Sequence, residues 1–245
     1  EKIEERVKSV SDTLRLSSFL NLPARKLTAD QKQLISLGRG LVREDVAGVL
    51  MDEPLTVIDP DLKFRLRRNL KEINEQYKTT LVYVTHDQNE AMTFADNIIV
   101  MDQGEIVQVG LPKDLFERPK TTFVGYFIGS PAMNIFESEV SSDYSVKINN
   151  IEIKTNSNLS KIKDKNVKLG IRSEFINVAE KEGQNTIKAS LKRVEDFGNF
   201  KLLTANMDDF VIKSKVNREM PISNGDINLY IPPEKCCVYI NEKLI

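Results

Sequence analysis

Two apolar segments that each end abruptly in polar residues constrain the fold of this chain most strongly. Residues 49–51 are apolar and run directly into Asp52 and Glu53. A second apolar run, residues 82–84, ends in a threonine and His86, the only histidine of the chain. Such runs predict buried strands of a parallel sheet, and the carboxyl ends of parallel strands meet at one edge. The pattern therefore predicts a nucleotide site at that edge, where the polar tips do the chemistry.

Composition limits the class of protein. A length of 245 residues allows one large domain or two ordinary ones, and 40% hydrophobic with 29% charged residues is typical of a soluble globular chain. A net charge of −1 provides no global basic field for nucleic acid. No secretory signal opens the chain, and no apolar run approaches the roughly 20 residues that span a bilayer. Adjacent Cys236 and Cys237 suit neither a common metal site nor an ordinary disulfide, which indicates a reducing cytoplasm.

The first part of the chain has the pattern of an α/β domain, because helical periodicity alternates with short apolar strands. Thr28, with Gln31 three residues later, predicts a capping box at the start of one helix. Asp59 followed by proline predicts the start of a long helix. The basic residues of that helix are interpreted as a solvated face, Lys63, Arg65, Arg67 and Arg68.

The sequence pattern changes near residue 134, where helical periodicity stops. Short β-rich runs then alternate with asparagine, serine, aspartate and glycine turns, which predicts a small all-β barrel. We therefore predict two domains, 1–136 and 137–245.

Several motifs in a fixed order resemble one family. Residues 49–54 resemble the second nucleotide motif of ATP-binding cassettes, and residues 55–59 resemble the loop that crosses to a partner cassette. Residues 84–91 resemble the switch-histidine segment, and residues 102–110 the hairpin that closes the domain. Residues 169–174 resemble a strand of the oligonucleotide/oligosaccharide-type barrel appended to one branch. The chain thus resembles the nucleotide-binding subunit of an importer for sugars, polyols, glycerol or glycerol phosphate.

The resemblance implies a fold and a set of roles. The fold would be the later part of a P-loop-type cassette, with helical subdomain and parallel-sheet core, followed by the barrel. Asp52 would help to hold Mg²⁺, Glu53 would act as general base, and His86 would donate a hydrogen bond to the γ-phosphate. Asp59 would lie at the interface between two cassettes.

The signature segment departs from the family pattern. Residues 27–31 read Leu-Thr-Ala-Asp-Gln, where the family usually has Leu-Ser-Gly-Gly-Gln. The expected nucleotide-binding residues here are Thr28, Ala29, Asp30 and Gln31, and two glycines that allow close backbone approach to a phosphate are replaced. This departure favours a glycerol-type importer whose two cassettes are not identical.

A second departure is the lack of a Gly-x-x-x-x-Gly-Lys-Ser/Thr segment and of the glutamine loop anywhere in the chain. We therefore expect the 245 residues to be the later part of a larger protein and to be inactive alone as an ATPase.

The function implied is an energy-coupling ATPase subunit that uses ATP and Mg²⁺. It would be peripheral on the cytoplasmic face of the inner (plasma) membrane and would bind a second cassette subunit and membrane permease subunits, but no nucleic acid. One alternative is a non-catalytic regulatory or binding protein with a dead cassette. Another is a nucleic-acid-associated cassette, against which the appended barrel and the lack of a basic surface argue.

Overall fold

The structure is a computed structural model that describes residues 2–43, 46–162, 166–223 and 225–245. The chain divides into two compact units, residues 1–96 and residues 97–245. The domain boundary predicted near residue 136 remains a prediction about domain organisation.

Helices and strands alternate in the first unit, as the sequence pattern predicted. Its elements are α1 (Lys2–Thr13), α2 (Ala29–Leu41), β1 (Gly48–Asp52), α3 (Pro60–Tyr77), β2 (Thr80–Val84) and α4 (Gln88–Phe94). The predicted capping box is confirmed, because the Thr28 amide donates to the Gln31 side chain at 3.0 Å and the Gln31 amide donates back to the Thr28 hydroxyl. Leucines of α2 and α3 form the buried core, together with Val10 of α1 and Met51 of β1.

Strands β1 and β2 pair in parallel, in a register that sets Gly48 opposite Thr80 and Asp52 opposite Val84. The prediction of buried strands holds for only one face of the described pair. One face packs on the core through Met51, whereas Leu50 on the other face is 80% exposed. The apolar runs predicted both strands correctly, but they do not show how many faces of the strand pair are covered.

The basic face of α3 is only partly solvated, which corrects the sequence interpretation. Lys63 and Arg67 are largely buried, with 22% and 18% of their side chains exposed, and both face the Glu90 carboxylate of α4. Arg68 is exposed and pairs with Glu72 on its own helix, and Arg65 is exposed. Which of these basic residues are buried depends on the position of α4, and the helical periodicity of α3 does not predict that position.

The second unit begins with a hairpin and two short helices and continues as strands. The hairpin at Asp102-Gln103-Gly104 is confirmed, with Gly104 at a positive φ of 83°. The elements are β3 (Ile98–Asp102), β4 (Glu105–Gly110), α5 (Pro112–Glu117), α6 (Thr122–Phe127), β5 (Asn134–Ser142), β6 (Ser145–Ile148), β7 (Ile151–Lys154), β8 (Asn166–Ile171), β9 (Asn177–Ala179), β10 (Thr186–Asp196), β11 (Phe200–Met207), β12 (Phe210–Asn217), β13 (Asp226–Tyr230), β14 (Cys237–Ile240) and β15 (Lys243–Leu244).

The strands from β5 onward form two antiparallel sheets around one apolar core, as expected of the all-β part. One sheet has the order β12-β11-β10-β13-β9, and the other β15-β14-β8-β5-β6-β7. The Asn134 side chain joins them, because its Nδ2 donates to the Lys213 carbonyl at 2.9 Å and its Oδ1 accepts from the Lys213 amide at 2.8 Å. A side-chain amide thus replaces one pair of strand hydrogen bonds.

Arg172, directly after β8, binds the ends of two helices. Its guanidinium is fully buried and donates to the carbonyl oxygens of Phe116 at 2.8 Å, Gly125 at 2.7 Å and Ile128. These carbonyls lie at the C-terminal ends of α5 and α6, where helices leave acceptors without intrahelical partners. The positive charge also matches the negative end of each helix dipole.

None of the helices in the described ranges combines the length and the apolar character needed to cross a bilayer.

Candidate functional site at the strand ends

The carboxyl ends of β1 and β2 meet at one edge, as the sequence predicted. The Glu53 amide donates to the Val84 carbonyl at 2.9 Å, which extends the parallel pairing one residue beyond β1. The chain then turns at Glu53, whose φ is +44°, in the left-handed region that favours glycine. This turn directs the carboxylate toward the loop that follows β2.

The Glu53 carboxylate and the His86 imidazole are in direct contact. Oε1 of Glu53 lies 2.6 Å from Nδ1 of His86, and Oε2 accepts from the Thr56 hydroxyl at 3.0 Å. The His86 hydrogen bond, with that of Thr56, lowers the pKa of Glu53, and the same contact with Glu53 raises the pKa of His86. Both side chains are exposed enough to meet a ligand, 42% for Glu53 and 74% for His86.

Asp52 and Asp59 lie on either side of Glu53 along the chain. Asp52 is exposed at the end of β1. Asp59 is exposed before α3, and its carbonyl accepts the Lys63 amide at 2.8 Å, the first bond of the helix. Among the described residues, no group of three or more histidine, cysteine, aspartate or glutamate side chains forms a metal-binding cluster.

The signature segment lies at the start of α2. Thr28 is the N-cap, and its hydroxyl donates to the Asp30 carboxylate, which lowers the pKa of Asp30. An ionised aspartate in the first turn stabilises the helix N-terminus. Gln33, one turn further on, reaches the Glu53 carbonyl with its Nε2 at 3.5 Å. The helix that carries the signature thus touches the loop that carries the proposed base.

Comparisons with known proteins agree with the motifs. The family model described as the MalK OB fold domain matches residues 129–176. The oligosaccharides import ATP-binding protein MsmX of Bacillus subtilis is 35% identical over 235 residues, 92% of this chain and 64% of its own length. This chain is similar to import ATP-binding proteins over most of its length.

Two further import ATP-binding proteins show the same degree of similarity. The sn-glycerol-3-phosphate protein UgpC of Yersinia enterocolitica is 36% identical over 239 residues, 95% of this chain and 66% of its own. The trehalose/maltose protein MalK of Thermococcus litoralis is 34% identical over 236 residues, 92% of this chain and 63% of its own. The chain therefore spans slightly less than two thirds of these import ATP-binding proteins.

Three residues that support the site were not predicted from the sequence. Thr56 holds Glu53 from three residues downstream, a spacing that a short turn explains. Gln33 was not among the predicted site residues, because its link to Glu53 depends on the fold. Glu90 was read only as part of the switch-histidine segment, whereas it is a buried carboxylate beneath that segment.

Proposed function

We propose that this chain is part of the energy-coupling subunit of an importer and contributes to uptake driven by ATP hydrolysis. The solute class is a sugar, polyol, glycerol or glycerol phosphate, which the names of the similar proteins support. The contact between Glu53 and His86 at the aligned ends of two parallel strands is the observation that carries the proposal.

Glu53 is the proposed general base. Its lowered pKa keeps the carboxylate ionised at neutral pH, so that it can accept a proton from an attacking water. Thr56 orients the second carboxylate oxygen through its hydroxyl. The price of this arrangement is reduced basicity, because the groups that stabilise the anion also weaken its hold on a proton.

His86 is the proposed donor to the γ-phosphate. With Nδ1 bonded to the Glu53 carboxylate, the neutral ring carries its proton there, and Nε2 can only accept. Donation from Nε2 to a phosphate oxygen therefore requires the imidazolium form. The raised pKa of His86 favours that form, and a preorganised cation stabilises charge that develops on the phosphate.

Asp52 is the residue that would hold Mg²⁺. Mg²⁺ keeps several waters and needs only one or two carboxylates beside phosphate oxygens, so a single exposed carboxylate at the strand end fits it. The bound ion would neutralise charge on the phosphates.

The start of α2 is the proposed contact with a nucleotide held by a second cassette. Helix N-termini bind phosphate through free amides, but the ionised Asp30 opposes an anion there. We therefore propose a non-identical partner cassette, with one composite site weaker than the other, bound with permease subunits at the cytoplasmic membrane face. Asp59 would lie at the interface between the cassettes.

The asymmetry is tested by restoring glycines at Ala29 and Asp30 in the assembled importer. Turnover should rise, chiefly at the site whose phosphate loop belongs to the partner. Unchanged turnover in a complex that contains two identical cassettes would overturn the asymmetric partnership.

The chemical assignment is tested with Glu53→Gln in the assembled importer. ATP binding should persist, whereas hydrolysis should fall by about 10²–10⁴-fold because the base is lost. Glu72→Gln is the matched control, since Glu72 is exposed on α3 and pairs only weakly with Arg68. Lys63→Ala is unsuitable as a control because Lys63 faces Glu90. Equal turnover for both variants would support the alternative of a non-catalytic regulatory protein.

A further inference from the structure

Glu90 is a buried carboxylate on the first turn of α4, directly beneath the loop that carries His86. Only 4% of its side chain is exposed. Oε2 accepts from the Tyr83 hydroxyl at 2.8 Å and from the Thr85 hydroxyl at 3.0 Å. Oε1 faces the Lys63 and Arg67 cations of α3 at 3.5 and 3.8 Å. Each oxygen therefore has its own set of partners.

The two cations explain how a carboxylate persists in this position. An isolated buried charge is strongly unfavourable, so buried carboxylates are paired or hydrogen-bonded. Lys63 and Arg67 supply the charge, and the hydroxyls of Tyr83 and Thr85 supply neutral donors. The carboxylate thus joins α3, β2 and α4 at one point.

Thr85 links this point to the turn around His86. Its hydroxyl donates to Glu90 and also accepts from the Asp87 amide at 3.0 Å. The Asp87 carboxylate in turn caps α4, accepting from the amides of Asn89 at 2.8 Å and Glu90 at 3.3 Å. The hydrogen bonds form a closed ring from the Glu90 side chain through Thr85 and Asp87 to the Glu90 backbone. His86 lies inside this ring in the sequence.

The ring sets the position of the imidazole. His86 is 74% exposed, so packing around its side chain does little to hold it. The residues on both sides of it, Thr85 and Asp87, are held by the ring. We propose that Glu90 is a positioning residue that acts through the Thr85 hydroxyl to keep His86 against Glu53. This proposal rests on the proposed function for its catalytic consequence, but not for its structural test.

The test uses the fact that the chain has a single histidine. The imidazole proton resonances of the full chain report the titration of His86 without ambiguity. The charged groups that face His86 are Glu53 at the end of β1 and Asp87 and Glu90 of the α4 turn. Thr85→Val removes the hydroxyl, keeps the side-chain shape and leaves all three carboxylates in place. Thr85→Ser keeps the hydroxyl.

The expected result separates these two variants. Thr85→Val should move the titration midpoint of His86 by at least half of the way back to its value in the urea-unfolded chain. Thr85→Ser and Tyr83→Phe should keep the wild-type midpoint, since Tyr83 lies outside the ring. Thr85→Ala is measured in parallel and should show the same shift as Thr85→Val. A wild-type midpoint in whichever of these two variants retains the far-UV circular dichroism of the parent would overturn the proposal.

The assembled importer gives the second readout. Thr85→Val should lower turnover by about 10- to 100-fold with little change in KM for ATP, because the imidazole is misplaced rather than lost. Thr85→Ser, which keeps the hydroxyl, should have the turnover of the wild type. A shifted midpoint with unchanged turnover would support the positioning role and overturn the proposed function of His86.

Discussion

Arg172→Met is expected to destabilise the second unit strongly, because the guanidinium holds the main chain of two helix ends. The Gly125 carbonyl keeps another partner, the Met133 amide at 3.2 Å. The part-buried carbonyl of Phe116 and the buried carbonyl of Ile128 lose a charged donor. Each such acceptor left unsatisfied costs about 1–3 kcal/mol.

Two further effects change the expected loss of stability. The ring of Phe116 also loses the guanidinium that stacks over it at 4.6 Å. In the opposite direction, desolvation disfavours the charged guanidinium, and burial lowers the pKa of Arg172 for this reason. Removing the charge recovers part of that penalty. We therefore expect a loss of about 3 kcal/mol in the free energy of unfolding of the second unit.

The assay is urea unfolding of the full chain followed by circular dichroism, with hydrogen exchange and mass spectrometry to locate the change. Peptides from α5, α6 and β8 should lose protection first. Arg218→Met is the matched control, since Arg218 is half exposed and pairs with the exposed Asp196 at 3.3 Å. If the two variants unfolded at the same urea concentration, the assignment of Arg172 as a cap for both helices would be wrong.

Three further predictions concern other parts of the chain. The folded state raises the pKa of His86, so this residue contributes stability at pH values below its unfolded pKa, and that stability is lost as pH rises through its folded pKa. The folded state lowers the pKa of Glu53, so this residue contributes stability at pH values above its unfolded pKa, and that stability is lost as pH falls through its folded pKa. The stability difference between wild type and Glu53→Gln should therefore be greatest near about pH 5.5 and shrink on both sides in urea titrations, and a flat profile would contradict the pairing. Gly170→Ala should destabilise the barrel and lower its melting temperature, because the added Cβ would lie 2.8 Å from both Met133 Sδ and Tyr239 Cε2, whereas Gly198→Ala, with open space and only a backbone cost, should do so less. Burial raises the pKa of both thiols, that of Cys236 to about 12, so both cysteines should react slowly with a disulfide reagent until urea is added. Fast reaction in native buffer would show that the thiols are accessible.

The sequence predicted those features that depend on neighbours along the chain. The capping box at Thr28 and the hairpin at Gly104 depend on residues a few positions apart, and both are confirmed. The meeting of Glu53 and His86 follows from one additional rule, that parallel strands end at the same edge.

Features that depend on distant elements were not predictable in this way. The burial of Lys63 depends on α4 reaching α3, and the exposure of Leu50 depends on which face of β1 is covered. Strand β5 was not predicted either, since its outward positions are serine and glutamate and its role depends on pairing with β8 and on the Asn134 link to β12. These are contacts between residues that no local pattern relates.

The backbone conformation of Glu53 is unfavourable for folding, and the same residue is the proposed general base. Its φ of +44° belongs to a region that costs a residue with a Cβ about 1–2 kcal/mol, and glycine avoids that cost. A substitution chosen only to relieve this backbone cost would place glycine there, and the variant would lose both the pair with His86 and the proposed proton acceptor. Engineering this chain for heat resistance should therefore leave position 53 unchanged and seek its gains elsewhere.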